Sequence, residues 1–381
     1  MMTRRAMLAA PALLRAQNRA DRIRVAVIGA GNRGAFLLEH LLELEGAEVV
    51  AVCDILPERA DAAATAVAKK GGAARTFTDY RRMLDEVREL DAVIQAAPDY
   101  THREIDIAVL ERGKHLYAEK PLALTVEDCR AVRDAARRAP VIMQVGFQLR
   151  HDPARAAALR WIHEGKAGRV LQCHGMRHGG DLPRNIPWYF DKTKCGDIVV
   201  DQGIHILDLF RWAIGKPPLR CYGDGGTALF VDTPPGRTVM DHYSLIYEFE
   251  GGVQINFSHH YFDPPGFTGI QERVFLSEGA VDLIRAEFQP RTERQRVKLE
   301  VPGAGQDATR MSLAAFLDNV RNRRRPLNDV DSAFEATLVA LMGTRSIYEK
   351  RVVTWDEMNA RGRASGRAAP RVPAGASRPL R

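Results

Sequence analysis

Cysteine pairs and long apolar runs are both missing from this chain of 381 residues. The five cysteines are scattered and no two form a C-x-x-C pair, so their spacing indicates neither a zinc site nor a disulfide framework. An apolar stretch near the start covers only residues 6–14, far short of the roughly 20 residues that span a bilayer. We therefore predict no membrane-spanning helix. A hydrophobic fraction of 45% suffices for two domains, each with its own core.

The excess of basic residues, which gives a net charge of +7, lies at the two ends of the chain. Residues 361–381 hold six arginines and no acid, and residues 1–22 hold five arginines and one aspartate. Removing these segments, at +6 and +4, leaves residues 23–360 at about −3. Since a mildly acidic body offers no basic face, we predict no nucleic-acid partner.

The first residues resemble an export signal. Arg4 and Arg5 precede the apolar residues 6–14, as in a twin-arginine signal. We predict such a signal over residues 1–20 and a periplasmic location; the alternative is a cytoplasmic protein with a basic start. The other end of the chain is rich in Arg, Ala, Gly and Pro, which predicts a disordered basic tail over residues 358–381.

Strands and helices alternate between residues 23 and 147. Five apolar runs predict buried strands at residues 23–28, 47–54, 91–97, 115–118 and 140–147. The predicted helices lie between them, at residues 35–44, 57–69, 101–112 and 126–139. This alternation predicts an α/β domain over residues 22–147, in which helices cover both faces of a parallel sheet.

The pattern changes after residue 147. Helices are predicted at residues 153–164 and 197–214, and strands at residues 220–231, 240–249, 253–260, 272–277 and 280–284. This order predicts an α+β domain with a mostly antiparallel sheet over residues 148–328. Two late helices are predicted at residues 310–322 and 332–349, the second within a C-terminal segment, residues 329–357, that packs back on the body.

A glycine-rich segment at residues 29–34 follows the first predicted strand and opens a helix. Its G-x-G-x-x-G pattern is that of a dinucleotide-binding Rossmann domain. Gly29 permits the tight turn, Gly31 lets a pyrophosphate approach the backbone, and Gly34 lets helix and strand pack closely. The pyrophosphate would lie on amides at the helix N-terminus. The cofactor-binding residues predicted from this segment are Gly29, Gly31, Asn32, Arg33 and Gly34.

The second predicted strand ends in Asp54, about 20 residues past the glycines. A carboxylate there can accept hydrogen bonds from both ribose hydroxyls of the adenosine and would repel a 2′-phosphate. We therefore predict NAD as the cofactor. Arg59, one helical turn further on, keeps NADP as the alternative.

Four further motifs follow in order. Residues 97–102, A-P-D-Y-T-H, are similar to a T-P-N-x-x-H loop in which Asp99 replaces the asparagine. Residues 118–121, A-E-K-P, contain an E-K-P tripeptide; residues 145–150 are similar to G-F-x-x-R; and residues 201–205 match D-x-G-x-H. Together these motifs resemble those of the glucose-fructose oxidoreductase/inositol dehydrogenase (Gfo/Idh/MocA) family, over about residues 22–355.

The resemblance implies a doubly wound Rossmann domain followed by a domain whose open sheet mediates assembly, so we expect a homodimer or homotetramer. It also implies that the remaining cofactor contacts are Ala97, Pro98, His102, Glu119, Lys120 and Gln148. The family places a run of glycines before the helix of its last motif. Here only Gly196 remains, so we expect a different substrate pocket.

The resemblance also implies a reaction, hydride transfer between nicotinamide and a secondary alcohol of a sugar, polyol or inositol. Such chemistry needs a group that polarises the substrate oxygen and a base that takes its proton. Lys120, Asp201 and His205 are the predicted catalytic residues, with Lys120 as polariser and His205 as base; Lys120 as base is the alternative. Pro121 is expected to be cis. The predicted substrate-binding residues are Lys120, Arg150, Trp188, Asp201 and His205.

Two alternative functions remain open on the same fold. One is a redox-neutral, NAD-dependent glycoside hydrolase, against which the retained Lys120 argues. The other is a sugar-sensing protein without activity. A metal site is not predicted: His259 and His260 lie in a strand, but no carboxylate or cysteine spacing joins them to His174 and His178.

Overall fold

The computed structural model describes residues 22–182 and 186–360. The predicted export signal, residues 1–20, lies outside these residues, as does the tail from residue 361. The predicted tail began at Met358, but that residue is buried in a short helix, so the folded body continues further than we expected. Among the described helices, none is long and apolar enough to cross a membrane.

The first half of the chain forms a six-stranded parallel sheet. Its strands are β1 (Ile23–Ile28), β2 (Ala47–Cys53), β3 (Arg75–Phe77), β4 (Ala92–Gln95), β5 (His115–Ala118) and β6 (Met143–Val145). They lie in the order β3-β2-β1-β4-β5-β6, and every neighbouring pair is parallel. This is the strand order of the Rossmann fold and confirms the predicted fold class. The order reverses between β1 and β4, the place at which such sheets bind ligands.

Helices cover both faces of this sheet because its strands are apolar on both sides. Val27 is fully buried in the core cluster on one side, and Val93 is fully buried in the cluster on the other. The covering helices are α1 (Asn32–Leu41), α2 (Pro57–Lys69), α3 (Tyr80–Glu86), α4 (His102–Glu111) and α5 (Val126–Arg138). Residues 75–86, for which no element was predicted, contain β3 and α3.

The second sheet has nine strands and is open. They are β7 (Val170–His178), β8 (Arg220–Gly226), β9 (His242–Glu248), β10 (Gln254–His260), β11 (Gly269–Leu276), β12 (Gly279–Asp282), β13 (Glu287–Pro290), β14 (Val297–Lys298) and β15 (Val353–Thr354). Their order is β14-β13-β12-β11-β7-β10-β9-β8-β15. Only β7 and β10 run parallel, so the predicted, mostly antiparallel sheet is confirmed.

The helices of the second half are α6 (Pro153–His163), α7 (Lys192–Cys195), α8 (Ile204–Ile214), α9 (Ala308–Asn322), α10 (Val330–Glu349) and α11 (Trp355–Asn359). Helix α8 packs on the second sheet, and Gly175 of β7 allows this approach. A Cβ on that glycine would lie 2.7 Å from the ring of Phe210. The predicted helix over residues 197–214 is instead interrupted, since a π-helical turn, Val199–Gly203, precedes α8.

Two late helices connect the halves of the molecule. Helix α9, which we had placed within residues 148–328, packs on the first sheet: Leu313 and Phe316 share a core cluster with Val25. Helix α10 contacts both halves. Its Thr337 hydroxyl accepts from Leu122 N at 3.2 Å, and its Val339 carbonyl accepts from the Tyr247 hydroxyl at 2.8 Å.

Candidate active site

The glycine-rich loop between β1 and α1 has the geometry that a dinucleotide needs. Gly29 has a φ of +84°, and a Cβ there would lie 2.5 Å from Ala97 N. A Cβ on Gly34 would lie 1.7 Å from the Gly29 carbonyl oxygen, so only glycine permits this packing of helix on strand. Helix α1 begins at Asn32, and its first amides lie at the sheet's switch point.

Asp54 ties the end of β2 to this loop. Its carboxylate accepts from Ala30 N at 2.8 Å and from Leu56 N at 3.0 Å. Arg59 lies over the loop, because its guanidinium would be 3.3 Å from a Cβ on Gly31. Arg59 therefore lies beside the expected pyrophosphate site. From the sequence it had been considered only as a residue that could favour NADP.

A cleft of about 420 Å³ runs from the glycine loop across the switch point. Asp54 and Arg59 line one end, Ala97 and Pro98 line the middle, and Trp188 closes the far side. The cleft, the three glycines of the loop and the carboxylate of Asp54 together fit a dinucleotide. Trp188, predicted from sequence to contact substrate, lies in the wall of this cleft.

Arg33 and Glu119, both predicted to bind cofactor, bind each other. Arg33 Nε donates to Glu119 Oε1 at 2.8 Å, and Arg33 also reaches the Thr309 hydroxyl at 3.3 Å. Glu119 is only 5% exposed, and a Cβ on Gly146 would lie 2.8 Å from its carboxylate. The pair therefore fixes the backbone just before Lys120.

Lys120 and Asp201 meet across the two halves of the chain. Lys120 Nζ donates to the Asp201 main-chain oxygen at 2.6 Å and to its carboxylate at 3.0 Å. The Lys120–Pro121 bond is cis, as expected. Burial opposes the charge of Lys120, but the nearby acidic groups, Asp201 first among them, outweigh it and raise its pKa. Lys120 is therefore a cation at neutral pH.

Asp99 is a third acid in this site, and no role for it was predicted. It is 5% exposed, and its Oδ2 has no hydrogen-bond partner among the described residues. Burial and the neighbouring Asp201 charge raise its pKa well above the ordinary value. The replacement of asparagine by Asp99 thus gives the site a carboxyl group that favours its protonated form.

His205 opens helix α8, one turn after Asp201. Its Nδ1 is buried without a hydrogen-bond partner in the described chain, and its ring meets Phe147 edge-on with centroids 6.3 Å apart. Burial and the Lys120 charge lower its pKa well below the ordinary value, so the ring is neutral. No hydrogen bond joins it to Lys120 or Asp201 in the described residues, and Asp201 lies in the π-helical turn that precedes α8.

Two further residues predicted to bind cofactor differ in their surroundings. His102, predicted to bind cofactor, is fully buried, and its ring nitrogens lie 2.6 Å from Pro121 O and 3.0 Å from Ala97 O. It therefore joins two active-site loops. Gln148, in contrast, keeps a buried Oε1 without a partner among the residues described, so its carboxamide is available to a ligand.

Arg150, predicted to face substrate, is instead a structural residue. It is 3% exposed and forms a two-pronged ion pair with Asp208 of α8, at 2.7 and 2.5 Å. Its third donor reaches Leu327 O at 3.1 Å. With its donors used in this way, the guanidinium cannot contact a substrate, and that prediction is wrong.

Comparison with known proteins agrees with this geometry. Residues 23–147 match the oxidoreductase family with an NAD-binding Rossmann fold, and residues 156–282 match the GFO/IDH/MocA C-terminal domain. The chain is 34% identical over 353 residues to the scyllo-inositol 2-dehydrogenase (NAD(+)) of Bacillus subtilis strain 168, covering 88% of this chain and 96% of that protein. The chain therefore belongs to the Gfo/Idh/MocA family of NAD-dependent oxidoreductases, enzymes that act on CH–OH groups.

Solved structures share its fold. The myo-inositol 2-dehydrogenase of Lactobacillus plantarum superposes with a TM-score of 0.74 at 23% identity, covering 87% of this chain and 99% of that one. A levoglucosan dehydrogenase in complex with NADH and L-sorbose gives a TM-score of 0.76 at 21% identity, covering 89% of this chain and 100% of that one. Both cover the two halves of the chain described above.

Proposed function

We propose that this enzyme oxidises a ring secondary alcohol of an inositol or a related cyclic sugar, with NAD as the hydride acceptor. The observation that carries the proposal is the Lys120 ammonium, which Asp201 holds. His102 joins the residue after it, Pro121, to Ala97 in the wall of the dinucleotide cleft. The similarity to an NAD-dependent scyllo-inositol 2-dehydrogenase supports an inositol-like substrate.

The residues divide the work according to their charge. NAD, when bound, supplies the acceptor for the hydride, and the loop at residues 29–34 with Asp54 would hold it. Lys120, a cation in the resting enzyme, polarises the substrate oxygen and stabilises the developing alkoxide. His205, which burial keeps neutral, takes the proton of the substrate hydroxyl. Because Nδ1 of His205 is buried, we assign Nε2 as the nitrogen that accepts this proton. Asp201 orients Lys120.

This division favours His205 over Lys120 as the base. A group whose pKa is raised holds its proton at neutral pH and cannot remove another. A group whose pKa is lowered is free to accept one. These two pKa directions support His205 as the base in our proposal.

The proposal is tested with the purified full chain and a panel of inositols, pyranoses, anhydrosugars and nitrophenyl glycosides. NADH absorbance and aglycone release are followed in the same cuvette. We expect NADH to accumulate with at least one inositol or cyclic sugar and no aglycone release. Aglycone release without net NADH would replace the proposal with a redox-neutral hydrolase, and no reaction with any member would refute both.

We further propose that residues 1–20 direct export to the periplasm. Replacing Arg4 and Arg5 by lysine is expected to retain the protein in the cytoplasm, and unchanged fractionation would contradict the signal. We also propose a homodimer or homotetramer formed through the open sheet. Its outer face carries the exposed apolar side chains Tyr222, Ile246 and Phe275, and light scattering of the purified protein tests this assembly.

A further inference from the structure

His178 and His260 lie side by side at the ends of neighbouring strands, although they are far apart in the sequence. His178 is the last residue of β7, His260 is the last residue of β10, and the two are paired in register. Asp263 follows in the next turn. The backbone there is fixed by hydrogen bonds from Gly179 N to His260 O at 2.8 Å and from Asp263 N to Gly179 O at 3.0 Å.

The three side chains lie close together, and the rings of His178 and His260 have centroids 3.7 Å apart with an interplanar angle of 30°. The Asp263 carboxylate lies 3.6 Å from His178 Nδ1 and 3.3 Å from His260 Nδ1. One ligand atom from each residue can be chosen so that all three lie within 4.8 Å of one another. The side chains are only 14 to 19% exposed, so the site is largely shielded from solvent.

Neighbouring side chains hold both rings in place. His178 Nε2 lies 3.0 Å from the Ser258 hydroxyl, which engages the nitrogen that faces away from Asp263. His260 stacks on Phe262 with centroids 4.5 Å apart, and its buried Nδ1 has no hydrogen-bond partner in the described chain.

We propose that His178, His260 and Asp263 bind one divalent transition-metal ion, with Zn²⁺ as the preferred occupant and water as the fourth ligand. Two imidazoles and a carboxylate form a ligand set that zinc uses in proteins. The spacing of these residues in the sequence does not indicate a metal site. Strand pairing brings His178 next to His260, and the carboxylate of Asp263 comes from the turn that follows β10.

The site is separate from the proposed active site. Successive side chains of a strand point to opposite faces of its sheet. Arg177, next to His178, donates to Gln202 of the π-helical turn at 3.0 Å, on the face that carries Asp201 and His205. His178 and His260 therefore lie on the opposite face. A metal there would join β7, β10 and the turn after β10, and would take no part in hydride transfer.

The test uses the full chain without an affinity tag, stripped with EDTA and titrated with ZnCl₂ by calorimetry. We expect saturation at one ion per chain. Asp263→Asn, which keeps the side-chain shape, and His260→Ala are each expected to weaken binding at least about tenfold. His174→Ala is the matched control, because this exposed histidine lies on the same strand and the same face as His178 but outside the cluster.

A second measurement distinguishes loss of the metal site from misfolding of a variant. Zn²⁺ is expected to raise the unfolding temperature of the unmodified protein and of His174→Ala but not that of Asp263→Asn. Co²⁺ should give visible d–d absorption that His260→Ala abolishes. Absence of saturable Zn²⁺ binding, or equal binding by Asp263→Asn and the unmodified protein, would overturn the proposal.

Discussion

Removal of the Lys120 ammonium gives the sharpest test of the proposed chemistry. A cation and a full negative charge 3.0 Å apart, the Lys120–Asp201 distance, attract by about 5 kcal/mol at an effective dielectric constant of 20. In the resting enzyme the Lys120 charge is already partly neutralised by Asp201. We therefore assign about half of this attraction, roughly 3 kcal/mol, to stabilisation of the developing alkoxide. At 1.36 kcal/mol for each factor of ten, Lys120→Ala should lower kcat about 10²-fold.

NAD binding should survive the same substitution, because the glycine loop and Asp54 hold the dinucleotide. The assay is steady-state turnover on the substrate found in the panel, with NAD affinity measured separately by protein fluorescence. Lys114→Ala is the matched control. That lysine precedes the same strand, β5, and donates to Leu90 O at 2.7 Å, outside the cleft, so its loss should leave kcat unchanged.

Lys120→Arg separates charge from position. It keeps the cation but changes the donor geometry, so we expect an intermediate kcat. A Lys120→Ala protein that binds NAD and turns over at the unmodified rate would refute the assignment of Lys120 as polariser. A protein that has lost NAD binding as well would show that Lys120 holds the cofactor instead.

Four further predictions rest on separate residues. NAD should bind much more tightly than NADP, and Asp54→Ser should narrow that preference; equal affinities in the unmodified protein would contradict the role of Asp54. The turnover rate should stay constant as the pH falls to about 6.5 and decline only below that pH, since the pKa of His205 is lowered. His205→Gln should remove this acidic limb from the kcat–pH profile. Arg150→Met should cost about 3–5 kcal/mol in denaturant unfolding, because Asp208 is left buried and unpaired, whereas a loss below 1 kcal/mol would show that the pair contributes little. Burial raises the pKa of Asp197 to about 6, so the folded state binds more protons than the unfolded state between pH 4 and 6; stability should fall as the pH rises through this window, and Asp197→Asn should flatten that dependence in thermal melts.

Local patterns predicted most of the first half of the fold, but not β3 and α3. The strand β1, the glycine loop and the helix α1 are adjacent in sequence, so periodicity and the spacing of Gly29, Gly31 and Gly34 contain all the information needed. Lys120 was found for the same reason, because its tripeptide is contiguous. The cis bond at Pro121 came from family resemblance and not from any physical feature of the sequence.

Long-range pairing explains most of what the sequence did not reveal. Strand β7 carries polar side chains at Gln172, His174, Arg177 and His178, so it lacks the apolar alternation of a half-buried strand although it lies in the middle of the sheet. Arg150 looked like a substrate residue because nothing in the sequence connects it to Asp208, 58 positions away. Such partners become visible only once helices and strands are assembled.

The position of helix α9 has a consequence for the order in which the chain can mature. Leu313, Phe316 and Leu317 complete a cluster that also contains Val25 and Leu37, so the core beneath the glycine loop draws on both ends of the chain. During synthesis, the first 150 residues would leave the ribosome with that apolar face uncovered until residue 322 has emerged. A fragment cut after the first sheet would keep the complete G-x-G-x-x-G motif and still expose this face to water, which favours aggregation over cofactor capture.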